Sequence, residues 1–239
     1  MATAAITHAQ EASTPSTETQ DPTLALFERY VEALGGEKAL MAKKTRVMEG
    51  RAEFAAAGLT VPFRVFQKAP DRMRMEMEMP GGLGKTVQVV NGDTGWANDS
   101  IQGFRELDES DLRMLSRDAD FYFDAHLAQT FPRRELLAPQ EMGGILTEVV
   151  EAHTADGQKY VLYFGRASHL LVRMDLEVDL GVQGRLQTKN IFSDYREVDG
   201  IKVPYKITSQ IAMGEMIITV RTIEHDVPVD DALFVAPQG

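Results

Sequence analysis

Chemistry needs reactive side chains at spacings that let them meet, and this sequence offers few. Five histidines occur, His8, His126, His153, His169 and His225, with no pair at metal-ligand spacing and no H-E-x-x-H run. A lone histidine is more often a surface or hydrogen-bonded structural residue than a ligand, so no metal is expected. Gly84-Lys85-Thr86 has the ending of a phosphate-binding loop. The first glycine of that motif would fall at Met79, and the run joins two strands rather than a strand and a helix. No serine sits in a G-x-S-x-G elbow. Ser168 and His169 are neighbours, and adjacent residues rarely face one another. Asp230-Asp231 is a carboxylate pair, but paired acids after a proline usually begin a helix or turn. The chain has no cysteine, which excludes disulfides, thiolate metal sites and a Cys nucleophile. These residues support no catalytic set, no metal and no cofactor, and the chain reads as a non-enzyme.

The informative chemistry is soft and apolar. In Arg72-Met73-Arg74-Met75-Glu76-Met77-Glu78-Met79 every second residue is methionine and every other is charged. A strand sends successive side chains to opposite faces, so this run puts four thioethers on one face and four charges on the other. Each methionine alone is most simply core. Four together specify a unique packing poorly, and flexible, polarisable methionine suits a surface that accepts varied apolar shapes.

The flanking elements follow from periodicity. Asp21-Pro22-Thr23 opens a helix, with Asp as the cap and Pro where no donor is needed. Phe27, Val31 and Leu34, with Leu24 and Tyr30 beside them, form its apolar stripe, and Gly35-Gly36 ends it. A short second helical piece is expected over residues 37–42. The period then changes to two. Met48, Gly50, Ala52 and Phe54 alternate with Glu49, Arg51 and Glu53, and Leu59, Val61, Phe63 and Val65 form the next strand. Turns at Pro80–Gly84 and Asn91–Gly95 bound a strand carrying Val87 and Val89, and Trp96 begins the return. Residues 106–137 break the alternation: Leu112, Leu115, Phe121-Tyr122-Phe123, Leu127 and Phe131 recur at roughly helical spacing. One or two amphipathic helices are expected there, either packed permanently on the sheet or acting as a lid. Strands resume to the C-terminus, giving about ten in all. Short connections make them an antiparallel meander, a sandwich or barrel with one solvated face and one face covered by helices or curled around a cavity.

Composition bounds the partners. The 239 residues are 44% hydrophobic and 26% charged, and the net charge is −11. An acidic chain is poorly matched to nucleic acid or to anionic membrane surfaces. No apolar run approaches the ~20 residues that span a bilayer as a helix. Residues 1–20 are rich in Ala, Thr, Ser, Glu and Gln, with no basic start and no apolar core, and read as a disordered leader before a single domain over 21–239.

Four stretches carry a resemblance: Tyr30-Val31-Glu32-Ala33-Leu34-Gly35-Gly36, Val90-Asn91-Gly92-Asp93-Thr94-Gly95-Trp96, the run from Asp194 to Pro204, and Asp230-Asp231-Ala232-Leu233-Phe234. In this order they resemble the LolA/LolB-like outer-membrane lipoprotein-sorting proteins, periplasmic lipoprotein carriers, over residues 22–237. The resemblance implies a mainly β fold, α+β in composition. Its single curved antiparallel sheet forms an unclosed barrel, with an N-terminal helix and inserted lid helices. It also implies a periplasmic carrier for lipid or acylated lipoprotein, which would exchange cargo with a membrane-bound donor or acceptor. Relatives of the same fold serve as envelope-stress sensors that bind a protein partner, the alternative reading. The absence of cysteine sets the chain apart from the membrane-anchored receptor type.

No ligand-contact residue of the family transfers by motif, so strand parity supplies the expected cavity lining. It comprises Phe54, Phe63 and Val65, the methionines Met73, Met75, Met77 and Met79, and Val87, Val89 and Trp96 from the next hairpin. Met174, Leu176 and Val178 would line it from the second half of the sheet, and Leu112, Leu115, Phe121 and Phe123 from the lid. As the only tryptophan, beside a hairpin turn, Trp96 is expected at the cavity mouth.

Overall fold

The computed structural model describes residues 21–82, 84–179, 185–211 and 214–237, and the leader expected over residues 1–20 lies outside them. Helix α1 (Pro22–Leu34) begins as its sequence dictates. The Asp21 carboxylate accepts the Thr23 N–H at 2.9 Å, Pro22 follows, and Gly35 ends the helix at φ 126°. Gly35 is needed for a second reason: a Cβ there would lie 2.3 Å from the Gly200 carbonyl oxygen. The buried stripe is Thr23, Leu26, Phe27, Tyr30 and Leu34. Leu26 thus takes the place expected for Val31, which is half-buried. Helix α2 (Glu37–Ala42) follows.

Arg134 also binds the α1 cap, its Nε donating to Asp21 at 3.0 Å. We expect Asp21→Ala to cost ~1–2 kcal/mol, measured as a shift in denaturant midpoint at constant slope. The Thr23 hydrogen bonds and the Arg134 charge hold the Asp21 carboxyl below its usual pKa. Its contribution is therefore present above the unfolded-state value of ~3.9 and is lost as pH falls through the lower folded value. The gap between wild type and variant should close on acidification.

Thirteen antiparallel strands form one sheet: β1 (Thr45–Phe54), β2 (Leu59–Lys68), β3 (Arg72–Glu78), β4 (Lys85–Asn91), β5 (Thr94–Asp99), β6 (Gly103–Glu106), β7 (Arg133–Met142), β8 (Ile145–His153), β9 (Lys159–Gly165), β10 (Leu171–Asp179), β11 (Arg185–Val198), β12 (Ile201–Ile211) and β13 (Gly214–His225). Their order is β6-β5-β4-β3-β2-β1-β13-β12-β11-β10-β9-β8-β7. The edges β6 and β7 do not pair, so the sheet is an unclosed barrel of the kind expected. Its connection from β6 to β7 carries α3 (Glu109–Ala119) and α4 (Leu127–Thr130).

The thirteen strands exceed the ten or so expected. β6 and β7 both touch the stretch read as helical, and Leu137 proves to be a strand residue. Only residues 109–119 form a long helix there. Phe121 to Phe131 is mostly turn, with a 3-10 turn at Phe123–Ala125 and the four-residue α4. The spacing of the aromatics reflects burial from successive turns, not one helix. Pro132 separates this segment from β7. Ile211 of β12 pairs with Gly214 of β13, and residues 212–213 between them lie outside the described residues.

Residues directly opposite in an antiparallel pair share a face. Met73, Met75 and Met77 oppose Gln67, Val65 and Phe63 of β2. Val65 opposes Met48 of β1, and Met48 opposes Ile223 of β13. Ile218 opposes Ile207, Ile207 opposes Phe192, and Met174 opposes Leu162. The methionine face therefore runs across the sheet, and the helices cover it. Leu112 and Leu115 of α3 pack on a buried cluster that includes Val65, Met73, Val90 and Leu107, against which Met48, Phe63 and Met75 also pack. Leu26, Phe27, Tyr30 and Leu34 of α1 pack on Val150, Leu162, Phe164 and Met174.

The opposite face departs from expectation, because half of it is not solvated. The segment after β13 returns over β1 to β5 as a strap, and its Val229 and Phe234 bury Val47, Val87, Val89 and Trp96. Asp230 caps a 3-10 turn at Asp231–Phe234, the turn start read from the acid pair. Asp231 pairs with Lys68 at 2.6 Å and Arg72 at 2.8 Å, and Arg74 donates to the Leu233 carbonyl at 3.0 Å. Arg74 and Glu76, expected in water, have side chains only 16% and 14% exposed.

Candidate functional site

The structure brings together, on the helix-covered face, Phe54, Phe63, Val65, Met73, Met75 and Met77 from β1 to β3, and Leu112 and Leu115 from α3. Met73 is 4% exposed and is plain core, as is Val65. Met75, Met77, Phe54 and Phe63 are half-buried, and so are Met48, Leu112 and Leu115. Met79 lies just beyond the end of β3. Met174 and Leu176 belong to the α1-side cluster with Phe123. Val178 lies on β10, but its side chain is outside the described residues.

Val87, Val89 and Trp96 are on the wrong face for this lining. Glu76 opposes Val87, Arg74 opposes Val89, and Val89 opposes Trp96, so all three point away from the methionines. The error is one of parity across the loop after β3, where turn residues do not keep the two-residue period. β4 presents Val90, Gln88 and Thr86 to the methionine face instead. Trp96 is 7% exposed, packed under the strap with the Arg74 guanidinium 5.5 Å from its ring centre. It does not stand at a cavity mouth.

One end of the concave face is sealed. Ile201, Val203, Tyr205 and Ile223 are buried there, with Ala39 and Leu40 of α2 packed against them. At the other end, by the β1–β2 hairpin, Phe54, Leu59, Met77, Met216, Ile218 and Ile207 are all half-buried and apolar. Between the hairpin end of this rim and Phe63 the same face carries Ala52 opposite Val61, both fully buried, and Met77 adjoins the half-buried Phe63 and Met75. Such a surface can hold an apolar chain, since each of its half-buried groups has contacts left to make.

Between the α3-side and α1-side clusters lies a polar centre that the sequence reading missed. The Tyr30 hydroxyl donates to Asp124 at 2.7 Å. Burial pushes the Asp124 carboxyl pKa up, against the Tyr30 hydrogen bond and the Arg46 and Arg117 charges. Burial lowers the Arg46 guanidinium pKa. Burial also lowers that of Arg117, but Asp118 at its side more than offsets this. Arg117 reaches from α3 to within 4.0 Å of the Met174 sulfur, spanning from one cluster to the other. One signal was present in the sequence. The parity that puts Met48 and Phe54 on the apolar face also puts Arg46 there. Asp124, in a turn, carried no such signal.

A depression of about 650 Å³ on the opposite face is a different surface. Its charged lining closes on itself through Arg64–Glu49 at 3.2 Å and Lys85–Glu76 at 3.0 Å, which marks a solvated sheet surface. Among the described residues, no group of three or more His, Asp or Glu could hold a metal ion.

The architecture and site define a LolA-like fold, and comparison with solved structures shows the same. A DUF1329 family protein from Desulfovibrio piger matches with TM-score 0.65 and 16% identity, covering 90% of this chain and 98% of that one. A LolA superfamily protein from Nitrosomonas europaea matches with TM-score 0.60 and 15% identity, over 89% and 97% of the two chains. A putative outer membrane lipoprotein-sorting protein domain from Vibrio parahaemolyticus matches with TM-score 0.60 and 13% identity, over 87% and 97%. At these identities the likeness is one of fold, and it is the fold the sequence motifs implied. No family model matches the sequence, and no curated protein matches it.

Proposed function

We propose that the protein is a carrier or binding protein for an apolar, acylated ligand, lipid or lipoprotein acyl chains, in the periplasm of a bacterial envelope. The observation that carries this reading is the half-buried Met75 and Met77 on the concave face, with half-buried Met48 and Phe63 beside them. Thioethers there adapt to chains of varied shape. The shared fold with a lipoprotein-sorting domain supports it. The reading is of a binder rather than an enzyme: in the polar centre Tyr30 is hydrogen-bonded to Asp124 and Arg117 is paired with Asp118, and the lining packed by α3 is apolar.

Native mass spectrometry of the purified protein tests this: a carrier retains lipid, and delipidated protein should take up one acyl chain or more. A second reading, a module that binds a protein partner, is favoured by one observation. Leu136, Ile145 and Leu146 are 45%, 47% and 43% exposed beside the unpaired edge β7. Such a module should elute empty and bind a protein segment.

If α3 and the turns after it act as a lid, amide exchange over 107–131 should be faster than in β1 and β2 in the empty protein. It should slow when a fatty acid is bound. Equal protection in both states would mean permanently packed helices.

A further inference from the structure

We infer that Arg46 is the anchor for an acidic head group on the ligand, so that the cargo is an anionic amphiphile whose acyl chain runs along the methionine face. This rests on the carrier reading and narrows it to a ligand class.

Arg46 opposes Gln67 on β2 and His225 on β13, which places it on the concave face two residues before Met48. It has no carboxylate within 4.0 Å among the described residues, whereas the other guanidiniums of the polar centre and the cap are paired, Arg117 with Asp118 and Arg134 with Asp21. A largely buried guanidinium without a carboxylate in direct contact is costly unless a partner arrives to meet it.

The guanidinium is also held in orientation. Its Nε donates to His225 Nε2 at 3.2 Å and one Nη to Gln67 at 3.3 Å. His225 in turn shares its Nδ1 proton with Asp199 at 3.1 Å, which fixes Nε2 as an acceptor. Gln67 is fixed by donating to the Asp118 carbonyl at 2.7 Å. The Phe121 ring lies 5.0 Å from the guanidinium carbon. Its direct partners are two neutral acceptors and a ring, and its remaining N–H groups stay available. A planar fork held in this way matches a carboxylate or phosphate.

The other charges near it do not fill this role. Asp124 acts on Arg46 through space but is not in contact with it and is hydrogen-bonded by Tyr30, and Asp118 is half exposed beside Arg117. Arg117 adds a second positive charge to the centre. Arg46 keeps part of its surface accessible, and Met48, Phe63 and Met75 continue the same wall toward the open rim, a path for an acyl chain.

The test uses the delipidated full chain and three probes with one sixteen-carbon chain: palmitate, monohexadecyl phosphate and 1-hexadecanol. Either acid should bind at least ~10-fold tighter than the alcohol, the size of a charge-assisted hydrogen-bonded contact. The tighter of the two acids identifies the head group. Arg46→Gln should abolish that preference and leave alcohol binding within about twofold. Equal affinity of the wild type for acid and alcohol would overturn the anchor and leave the carrier reading standing. Failure to bind any of the three would overturn both. Should Arg46→Gln not fold, wild-type protein with carboxyl-labelled palmitate decides by NMR. The bound carboxyl should titrate below that of free palmitate in micelles, and an unshifted or raised value would overturn the assignment.

Discussion

Phe234→Ala should destabilise the protein by ~3–5 kcal/mol, a large part of the ~5–15 kcal/mol of an ordinary domain. Phe234 is 2% exposed, five residues from the end of the chain, and packs with Val229 on Val47, Val87 and Trp96. Removing the ring leaves a cavity between strap and sheet. The strap's polar ties, Asp231 to Lys68 and Arg72, are exposed ion pairs that contribute little alone. Phe234 is the largest part of the strap's apolar burial, which adds to the Arg74 hydrogen bond to the Leu233 carbonyl. Denaturant midpoints measure the loss. Trp96, beneath the strap, should shift its emission to the red in the variant while remaining insensitive to ligand in the wild type. A cost below about 1 kcal/mol would mean that the strap is dispensable.

The methionines should divide into two kinds. Met73→Ala should cost ~2–5 kcal/mol, because Met73 is 4% exposed and packed among Val65, Val90, Ala97 and Leu107. Met75→Ala and Met77→Ala should each cost about 1 kcal/mol, since half-buried side chains have fewer contacts to lose. The double variant of Met75 and Met77 should also weaken fatty-acid binding, and Met73→Ala should not. Stability is read from denaturant midpoints of the delipidated protein and affinity from a fatty-acid titration. A large stability loss in the double variant with unchanged binding would remove this strand from the ligand site. The contrast is internal, as all three residues share one strand and one face.

Period and composition alone determined much of this protein. The Asp21 cap, the Gly35 stop and the two-residue alternation of β1, β2, β3 and β10 are local features, set by which side chains stand next to which. The motif order implied the unclosed antiparallel barrel that the structure shows. Tertiary structure alone decided which way each strand faces after a loop. Parity does not pass through the turn between β3 and β4, and so Val87, Val89 and Trp96 were placed on the wrong side. It also decided that the charged face of β3 lies under the strap, because Phe234 and Trp96 are 138 positions apart in the chain and nothing local links them. The polar centre draws Tyr30, Arg46, Arg117, Asp124 and His225 from five separate elements. Only the folded backbone sets the distances over which those charges act, and Coulomb and desolvation energies depend on those distances and not on sequence spacing.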